Sequence, residues 1–147
     1  MRRRANPRPG QELVVNQLPD DLRQVRLERS RSQQALGRYG ESVAARHLVD
    51  DGFVVLERNW RCHDGEIDIV AQDGDVLVIC EVKTRSNLNH GSPFEAITQR
   101  KLHRLERLGF AWIRVRGMRP KSMRIDIVSI VRPSHGRTII EHVRGLS

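Results

Sequence analysis

The residue types best suited to chemistry stand in two short segments, EID at residues 66–68 and EVK at residues 81–83. Asp73-Gly74 lies between them and predicts a two-residue type I′ turn, so both segments belong to the strands of one β-hairpin. That turn sets Gln72 opposite Asp75, and side chains alternate along each strand. Four charged side chains are therefore expected on one face of the sheet: Glu66, Asp68, Glu81 and Lys83.

The three carboxylates among these side chains predict a divalent-metal site. Converging carboxylates repel one another unless protons, a cation or basic side chains compensate them. In the expected register Asp68 and Glu81 are diagonal neighbours, roughly 7–8 Å apart at the backbone, and one shared ion can span that gap. Oxygen donors without a nearby histidine pair favour Mg²⁺ or Mn²⁺ over zinc. Lys83 is expected to have a raised pKa and to orient a water molecule as a permanent ammonium.

An ordinary exposed strand face with a Glu–Lys pair is the alternative interpretation of this pattern. Against it, the strand is apolar on both of its faces up to Glu81, which indicates a central strand buried on both sides. The apolar residues are Val76, Leu77, Val78, Ile79, Cys80 and Val82. Charges at the end of such a strand favour a functional site.

Two further charged residues fall on predicted helices. Lys101 lies within the apolar stripe of the second helix, where a lysine either snorkels to the surface or meets buried acids. We expect it to reach the acidic hairpin. Glu41 lies at the edge of the packing face of the first helix, where it could reach a metal directly or through water. An ordinary boundary glutamate explains Glu41 equally well.

Several other polar or aromatic residues carry weaker signals. Asp126 lies in an alternating strand, where a structural ion pair explains it as well as a catalytic role. The six histidines show no metal-ligand spacing, although His63 and His90 fall in loops near the hairpin, within reach of a substrate. Trp60 is interpreted as exposed on its strand, where it would serve as a base-stacking platform.

The hydrophobic pattern predicts an α/β fold with the element order α-β-β-β-α-β-β, that is, a mixed β-sheet flanked by helices. The first helix covers residues 32–51. The second is expected to begin at Ser92-Pro93-Phe94-Glu95, which combines an N-cap, an N1 proline and a capping-box glutamate, and to run to about Gly109 or Trp112. The predicted strands are residues 53–59, 65–72, 75–85, 123–131 and 138–143.

The N-terminal segment differs from the rest of the chain in composition. Residues 1–31 contain three prolines, scattered charges and few aliphatic residues, so we interpret them as a basic, flexible tail, with a short helix over 20–31 as an option. Residues 32–147 form the predicted nuclease-like domain.

A net charge of +8 in 147 residues indicates an anionic partner. Arginine supplies nearly all of the 26 basic residues, and clustered guanidinium groups bind phosphate oxygens through a planar fork. A solvated basic face or a coding bias toward arginine is the alternative. The candidate nucleic-acid-binding residues are Arg100, Arg104, Arg107, Arg114, Arg116, Arg119 and Lys121.

The apolar segments and the cysteines restrict the class of protein. No apolar run reaches the roughly 18 residues that a membrane span requires, and the arginine-rich start is not followed by the apolar region of a secretory signal. We therefore expect a soluble cytoplasmic protein without a membrane partner. Cys62 and Cys80 lack CxxC partners and are expected to be reduced structural thiols.

Several motifs together resemble the YraN family of small bacterial proteins: GRYGESVAARHL, NWRCHDGEIDIVAQDGDVLVICEVKTR, SPFEAITQRK and RIDIV. That family resembles Holliday-junction resolvases and the restriction-endonuclease-like, PD-(D/E)XK group. The resemblance implies a restriction-endonuclease-like sheet. It also implies that Asp68 and residues 81–83 form the metal-and-lysine motif, that Glu41 is the acidic position of the first helix, and that Lys101 is the basic position of the second. One departure is Ile67, which stands where the group often has proline.

The leading hypothesis is a Mg²⁺- or Mn²⁺-dependent, endonuclease-like protein that hydrolyses phosphodiester bonds in DNA, with branched and single-stranded DNA as candidate substrates. Asp68 and Glu81, together with Glu41, would hold the ion, Lys83 would orient the water, and Lys101 would neutralise developing charge. The alternative is a non-catalytic nucleic-acid-binding or scaffold protein that retains the nuclease fold. An RNA substrate and a homodimer both stay open.

Overall fold

A computed structural model describes residues 19–87, 89, 92, 94 and 97–146. Within them lie two helices and five strands, and the predicted order α-β-β-β-α-β-β is confirmed. The elements are α1 (Asp20–Asp50), β1 (Val54–Cys62), β2 (Gly65–Asp73), β3 (Val76–Arg85), α2 (Gln99–Arg116), β4 (Ser122–Val131) and β5 (Ile139–Leu146). In this described part of the chain, neither helix is long and apolar enough to cross a membrane.

The chain divides into two compact units, Met1–Ala35 and Leu36–Ser147. In the first unit the described residues form the start of α1, which begins at Asp20 rather than at residue 32. Asp20 and Asp21 stand in its first turn, where acidic side chains favour the helix N-terminus. Residues 1–18 of the predicted tail lie outside the described residues, and the domain boundary at residue 31 stays a prediction.

The five strands of the second unit form one mixed sheet in the order β1-β2-β3-β4-β5. Strands β3 and β4 are parallel, whereas the other neighbouring pairs are antiparallel. A parallel pair needs a crossover connection, and α2 lies in the connection between these two strands. The predicted central position of β3 and the mixed sheet are therefore confirmed.

Alternating apolar side chains of β3 join two different cores. Leu77 and Ile79 belong to a core on the α2 side of the sheet, while Val78 and Cys80 belong to a second core on the α1 side. Helix α2 contributes Leu102, Leu105, Leu108 and Trp112 to the first core. Since both faces of the strand are covered, any charge at its end is partly desolvated.

The predicted register of the β2–β3 hairpin is wrong. Asp73 lies opposite Val76, so the turn is made by Gly74 and Asp75 instead of Asp73 and Gly74. Gly74 has a φ of +60° and Asp75 is not among the described residues with positive φ, which fits a type II′ turn with glycine first. Each β2 residue therefore pairs two positions further along β3 than predicted. A shift of two positions leaves every side chain on its predicted face.

The predicted start of α2 at Ser92 is also wrong. Ser92 Oγ accepts a hydrogen bond from the Phe94 N–H at 3.3 Å, which closes a local turn two residues on. The N-cap is Thr98, whose hydroxyl accepts from the Lys101 N–H at 3.1 Å. Helix α2 continues to Arg116 and ends at the left-handed Gly117, past both predicted end points. Pro93 and Glu95 lie outside the described residues.

A close contact between α1 and β3 predicts the effect of one substitution. Gly40 packs against the side chain of Thr84, and an added Cβ would overlap it, whereas a Cβ at Gly37 of the same helix would meet no atom within 4 Å. Alanine favours a helix over glycine by about 1 kcal/mol, and an overpacked contact costs about 1–3 kcal/mol. We expect Gly40→Ala to be less stable than Gly37→Ala by about 1–3 kcal/mol in urea denaturation. Equal stability of the two variants would contradict this close packing.

Candidate metal and phosphate site

Strands β2 and β3 separate at Asp68. Their last paired residues are Ile69 and Cys80. Beyond that point the Val82 N–H donates to Asp68 Oδ2 at 2.9 Å, so a carboxylate replaces the usual backbone acceptor. This hydrogen bond fixes the Asp68 carboxylate at the point where β3 carries its charged residues.

Glu81 lies between two lysines at the end of β3. Lys101 Nζ is 3.0 Å from Glu81 Oε1, and Lys83 Nζ is 3.4 Å from the same oxygen. The Glu81 side chain is only 13% exposed, whereas the two lysines are about one third exposed. Lys101 thus reaches the acidic hairpin from within the apolar face of α2, as expected.

Negative charge around Asp68 is incompletely compensated. Burial and the neighbouring charges of Glu81, Glu41 and Glu66 raise the pKa of Asp68 to about 7, although the Val82 N–H acts in the opposite direction. A carboxylic acid that holds its proton near neutral pH is one for which a bound cation would be favourable. The two carboxylates offer only oxygen donors, which suit Mg²⁺ or Mn²⁺.

The two lysines differ in their proton affinity. Burial, followed by the hydrogen bond with Lys101, lowers the pKa of Lys83. The expectation of a raised pKa is therefore wrong, because sequence reasoning counted the carboxylates but not the second ammonium beside it. Burial also acts to lower the pKa of Lys101, but its hydrogen bonds with Lys83 and Glu81 outweigh burial and raise it.

Glu41 lies within electrostatic range of this cluster. It follows Gly40, whose contact with Thr84 brings α1 against β3, and its charge contributes to the raised pKa of Asp68. Among the described residues, the only three-residue group of potential metal ligands within 4.8 Å of one another does not include Glu41, Asp68 or Glu81. Glu41 is therefore brought near the acidic pair without joining it in a compact ligand set.

A cleft of about 620 Å³ opens over these acids on the α2 side of the sheet. Glu66, Asp68 and Glu81 line it from the hairpin, and four basic residues line it from α2. The basic residues are Arg100, Lys101, Arg104 and Arg107. The cleft thus combines carboxylates that could hold a cation with guanidinium groups that could bind the phosphates of a nucleic acid.

The conformation of Gly65 makes room for one arginine of the cleft. Arg104 Nε donates to the Asp64 carbonyl at 3.2 Å, so this side chain is tied to the β1–β2 turn. An added Cβ on Gly65, which has a φ of +144°, would lie 2.5 Å from the Arg104 guanidinium. Glycine at position 65 therefore permits both the turn and the close approach of the arginine.

The predicted basic surface is divided between two regions. Arg100, Arg104 and Arg107 line the acidic cleft. Arg119 and Lys121 instead line a smaller cavity of about 240 Å³ beside the hairpin turn. Arg116 donates two hydrogen bonds of 2.8 Å to the Glu57 carboxylate, and Arg114 lies exposed near the end of α2. Sequence reasoning merged these groups because it could not locate the end of α2 at Arg116.

Several weaker candidates lie away from the cleft. Trp60 is only 8% exposed and belongs to the core under α2, so the expectation of an exposed stacking platform is wrong. It lies opposite Ile67, which draws it into the sheet. His63 is exposed and lies 3.4 Å from Asp64, and His90 is outside the described residues. Cys62 and Cys80 are free thiols, as expected.

Asp126 is a fully buried structural carboxylate. Arg124 donates two hydrogen bonds to it, at 3.0 and 3.3 Å, and the Gly145 N–H donates a third at 3.0 Å. His142 Nε2 lies 2.9 Å from Asp126 Oδ2. Burial acts to raise the pKa of Asp126, but these hydrogen bonds outweigh burial and hold it below its usual value. The structural interpretation of Asp126 therefore accounts for its contacts.

Comparison with known proteins reveals a matching family profile and close relatives. Residues 40–130 match the profile described as "Uncharacterised protein family UPF0102". A UPF0102 protein of Nocardioides sp. is 59% identical over 114 residues, which cover 78% of this chain and 92% of that protein. A UPF0102 protein of Kineococcus radiotolerans is 48% identical over 118 residues, covering 80% and 97%. The matched range includes Glu41, Asp68, Glu81, Lys83 and Lys101.

The raised pKa of Asp68 predicts how the stability of the metal-free protein depends on pH. The folded protein retains the Asp68 proton up to about pH 7, whereas the unfolded chain loses it near the ordinary value of 3.8. The free energy of unfolding should therefore fall as the pH rises from about 4 to about 7. Asp68→Asn keeps an acceptor for the Val82 N–H and should be more stable than the wild type by about 1–3 kcal/mol at pH 8, but not at pH 4.

Urea denaturation in EDTA at several pH values measures this difference. Asp75→Asn makes the same chemical change in the exposed hairpin turn and serves as the control. Parallel stability profiles for the wild type and Asp68→Asn would contradict the account of uncompensated charge.

Proposed function

This chain belongs to the uncharacterised protein family UPF0102, in agreement with the predicted resemblance to the YraN family, and we propose that it is a divalent-metal-dependent nuclease acting on DNA. One observation carries the proposal. Buried carboxylates of β2 and β3 lie with two lysines beneath a rim of arginines in a single cleft.

Mg²⁺, or Mn²⁺ in its place, is the ion that suits this donor set. Asp68 and Glu81 would hold it, since Mg²⁺ is bound through one or two carboxylates together with water and substrate phosphates. Glu41, which acts on Asp68 at longer range, would contribute through a water molecule. When bound, the ion supplies a Lewis acid for the scissile phosphate and lowers the pKa of a coordinated water.

Lys83 and Lys101 would divide the remaining work in the cleft. Lys83 follows Glu81 at the strand end and would donate a hydrogen bond that orients the attacking water. Lys101, whose pKa is raised, would keep its positive charge and stabilise the negative charge that develops on the phosphate. Both ammonium groups already contact the same Glu81 oxygen, so they are held close to the reacting position before substrate binds.

Arg100, Arg104 and Arg107 would bind the DNA backbone at the rim of the cleft. All three side chains are on exposed positions of α2 and line the cleft. Contacts to phosphate fix the position of a nucleic acid but carry no direct sequence information. The substrate is therefore recognised by its backbone and its shape, which is compatible with branched or single-stranded DNA.

A non-catalytic DNA-binding protein is the second candidate, and one observation favours it. Glu81 is neutralised by Lys83 and Lys101 without any ion, so the cleft is partly compensated as it stands. A binding protein would use only the arginine rim and would need no cation at Asp68. The two candidates differ in whether a divalent cation is required for turnover.

The nuclease proposal predicts metal-dependent cleavage that requires the acidic pair and Lys83. Duplex, single-stranded, flapped and four-way DNA should be incubated with the protein in Mg²⁺ or Mn²⁺. Asp68→Asn, Glu81→Gln and Lys83→Ala should each lower the cleavage rate of the preferred substrate by about 100-fold or more, because each removes a group that stabilises the transition state. DNA binding should change little.

Lys121→Ala provides the matched control, because Lys121 is 80% exposed and pairs with Asp75 outside the cleft. Its cleavage rate should equal that of the wild type. Binding of every substrate without cutting, by the wild type in either metal, would favour the non-catalytic alternative.

The division of the basic residues predicts which arginines bind phosphate. Replacing Arg100, Arg104 and Arg107 together by alanine should reduce the slope of log K against log salt concentration by about 2–3, since each lost phosphate contact removes about 0.9. Replacing Arg114, Arg119 and Lys121 removes the same formal charge and should change the slope by less than about 1. Fluorescence anisotropy with single-stranded DNA measures both slopes, and the opposite ranking would exclude the cleft as the binding surface.

A further inference from the structure

A second cluster of ligand atoms lies on the α1 side of the sheet, away from the acidic cleft. His47 and Asp51 come from the end of α1 and its last turn, and His142 comes from β5. One ligand atom from each residue lies within 4.8 Å of the other two. We propose that these three residues form a binding site for a borderline transition-metal ion, with Zn²⁺ as the ion that fits the donors best.

The spacing of the ligand atoms fits one shared ion. His47 Nε2 lies 3.2 Å from His142 Nδ1 and 3.6 Å from Asp51 Oδ2. Two ligands about 2.0–2.1 Å from a tetrahedral zinc lie about 3.3 Å apart. Both measured separations are close to that value, so an ion could be accommodated with small shifts of the side chains.

The hydrogen bond to Asp126 prepares His142 as a ligand. Asp126 is fully buried, and its pKa is lowered by its hydrogen-bond donors, so it accepts rather than donates. His142 Nε2, 2.9 Å from Asp126 Oδ2, must therefore carry the proton of that bond. In the neutral ring this leaves the Nδ1 lone pair on the side of His47. Metal-ligating histidines are characteristically held by a carboxylate in this way.

Local packing holds the remaining ligands in place. His47 and Asp51 are four residues apart on α1 and its last turn, a spacing that places both side chains on one face, and the Asp51 N–H donates to the His47 carbonyl at 3.0 Å. The ring of Phe53 packs edge-on against His142, with centroids 5.7 Å apart. Arg144 lies over Phe53 and contacts Asp51 Oδ2 at 3.3 Å, so it would support the carboxylate from outside the metal site.

The donor types and the exposure determine which ion would enter. Two imidazole nitrogens and one carboxylate favour zinc over magnesium, which prefers oxygen ligands. The Asp51 side chain is 43% exposed and that of His47 25%, which gives an ion access from solvent. Three protein ligands leave one tetrahedral position for water. Because the ligands come from α1 and β5, the ion would link the helix to the edge strand and stabilise the fold on binding.

Zinc titration of the full chain without an affinity tag tests this site. Isothermal titration calorimetry and thermal unfolding with Zn²⁺ alone should give one zinc per chain and a rise in Tm. His47→Gln and Asp51→Asn should weaken zinc binding, His47→Gln by more than about 100-fold, because even loss of an outer hydrogen-bond partner costs about 10–100-fold. His47 is the preferred position, since replacing His142 would also remove a hydrogen bond from buried Asp126.

Two matched controls separate this site from other metal binding. His135→Gln changes an exposed histidine outside the cluster and should bind zinc as the wild type does. Glu81→Gln alters the cleft and should leave this zinc site intact, and Co²⁺ in place of Zn²⁺ should show visible absorption bands that His47→Gln abolishes. Equal zinc binding by the wild type and His47→Gln, or loss of binding in Glu81→Gln, would overturn the proposal.

Discussion

The contact of Lys83 and Lys101 with the buried carboxylate of Glu81 constrains the site more than any other interaction. Glu81 lies on a central strand that is covered on both faces, where an unpaired charge would cost several kcal/mol. The two lysines come from different elements, so the charge balance couples the end of β3 to α2. Asp68 lies beside this group, and its raised pKa shows that the two lysines do not compensate every acid there.

The topology explains how α2 reaches this position. A parallel β3–β4 pair requires a crossover from the carboxyl end of β3, and α2 therefore begins near the charged end of the strand. Thr98 caps the helix at the cleft, where unpaired backbone N–H groups and the helix dipole favour a phosphate or another anion. The same helix buries its leucines against the sheet, so the apolar core that fixes α2 also fixes Lys101.

Much of this arrangement could be predicted from the sequence, and the parts that could not have physical reasons. Alternation on β3 and the anomalous Lys101 suffice to place the charges on one face, because face depends only on the parity of the register. The turn itself could be formed with Gly74 in either central position, so the hairpin register was open to a shift of two. Trp60 looked exposed because pairing with Ile67 is a tertiary property. The contact of His47 with His142 spans 95 positions in sequence, and no local pattern indicates it.

The central claim is that the Asp68–Glu81 pair binds a divalent cation for phosphodiester chemistry. Anomalous X-ray scattering from crystals grown with Mn²⁺ would test it most directly, because the element is identified at its position. The account predicts a manganese peak bonded to carboxylate oxygens of both residues, with Lys101 displaced from Glu81 Oε1 or shared with the ion. Crystals that contain manganese elsewhere, while Lys101 and Lys83 remain on Glu81 and no peak lies at Asp68, would contradict it.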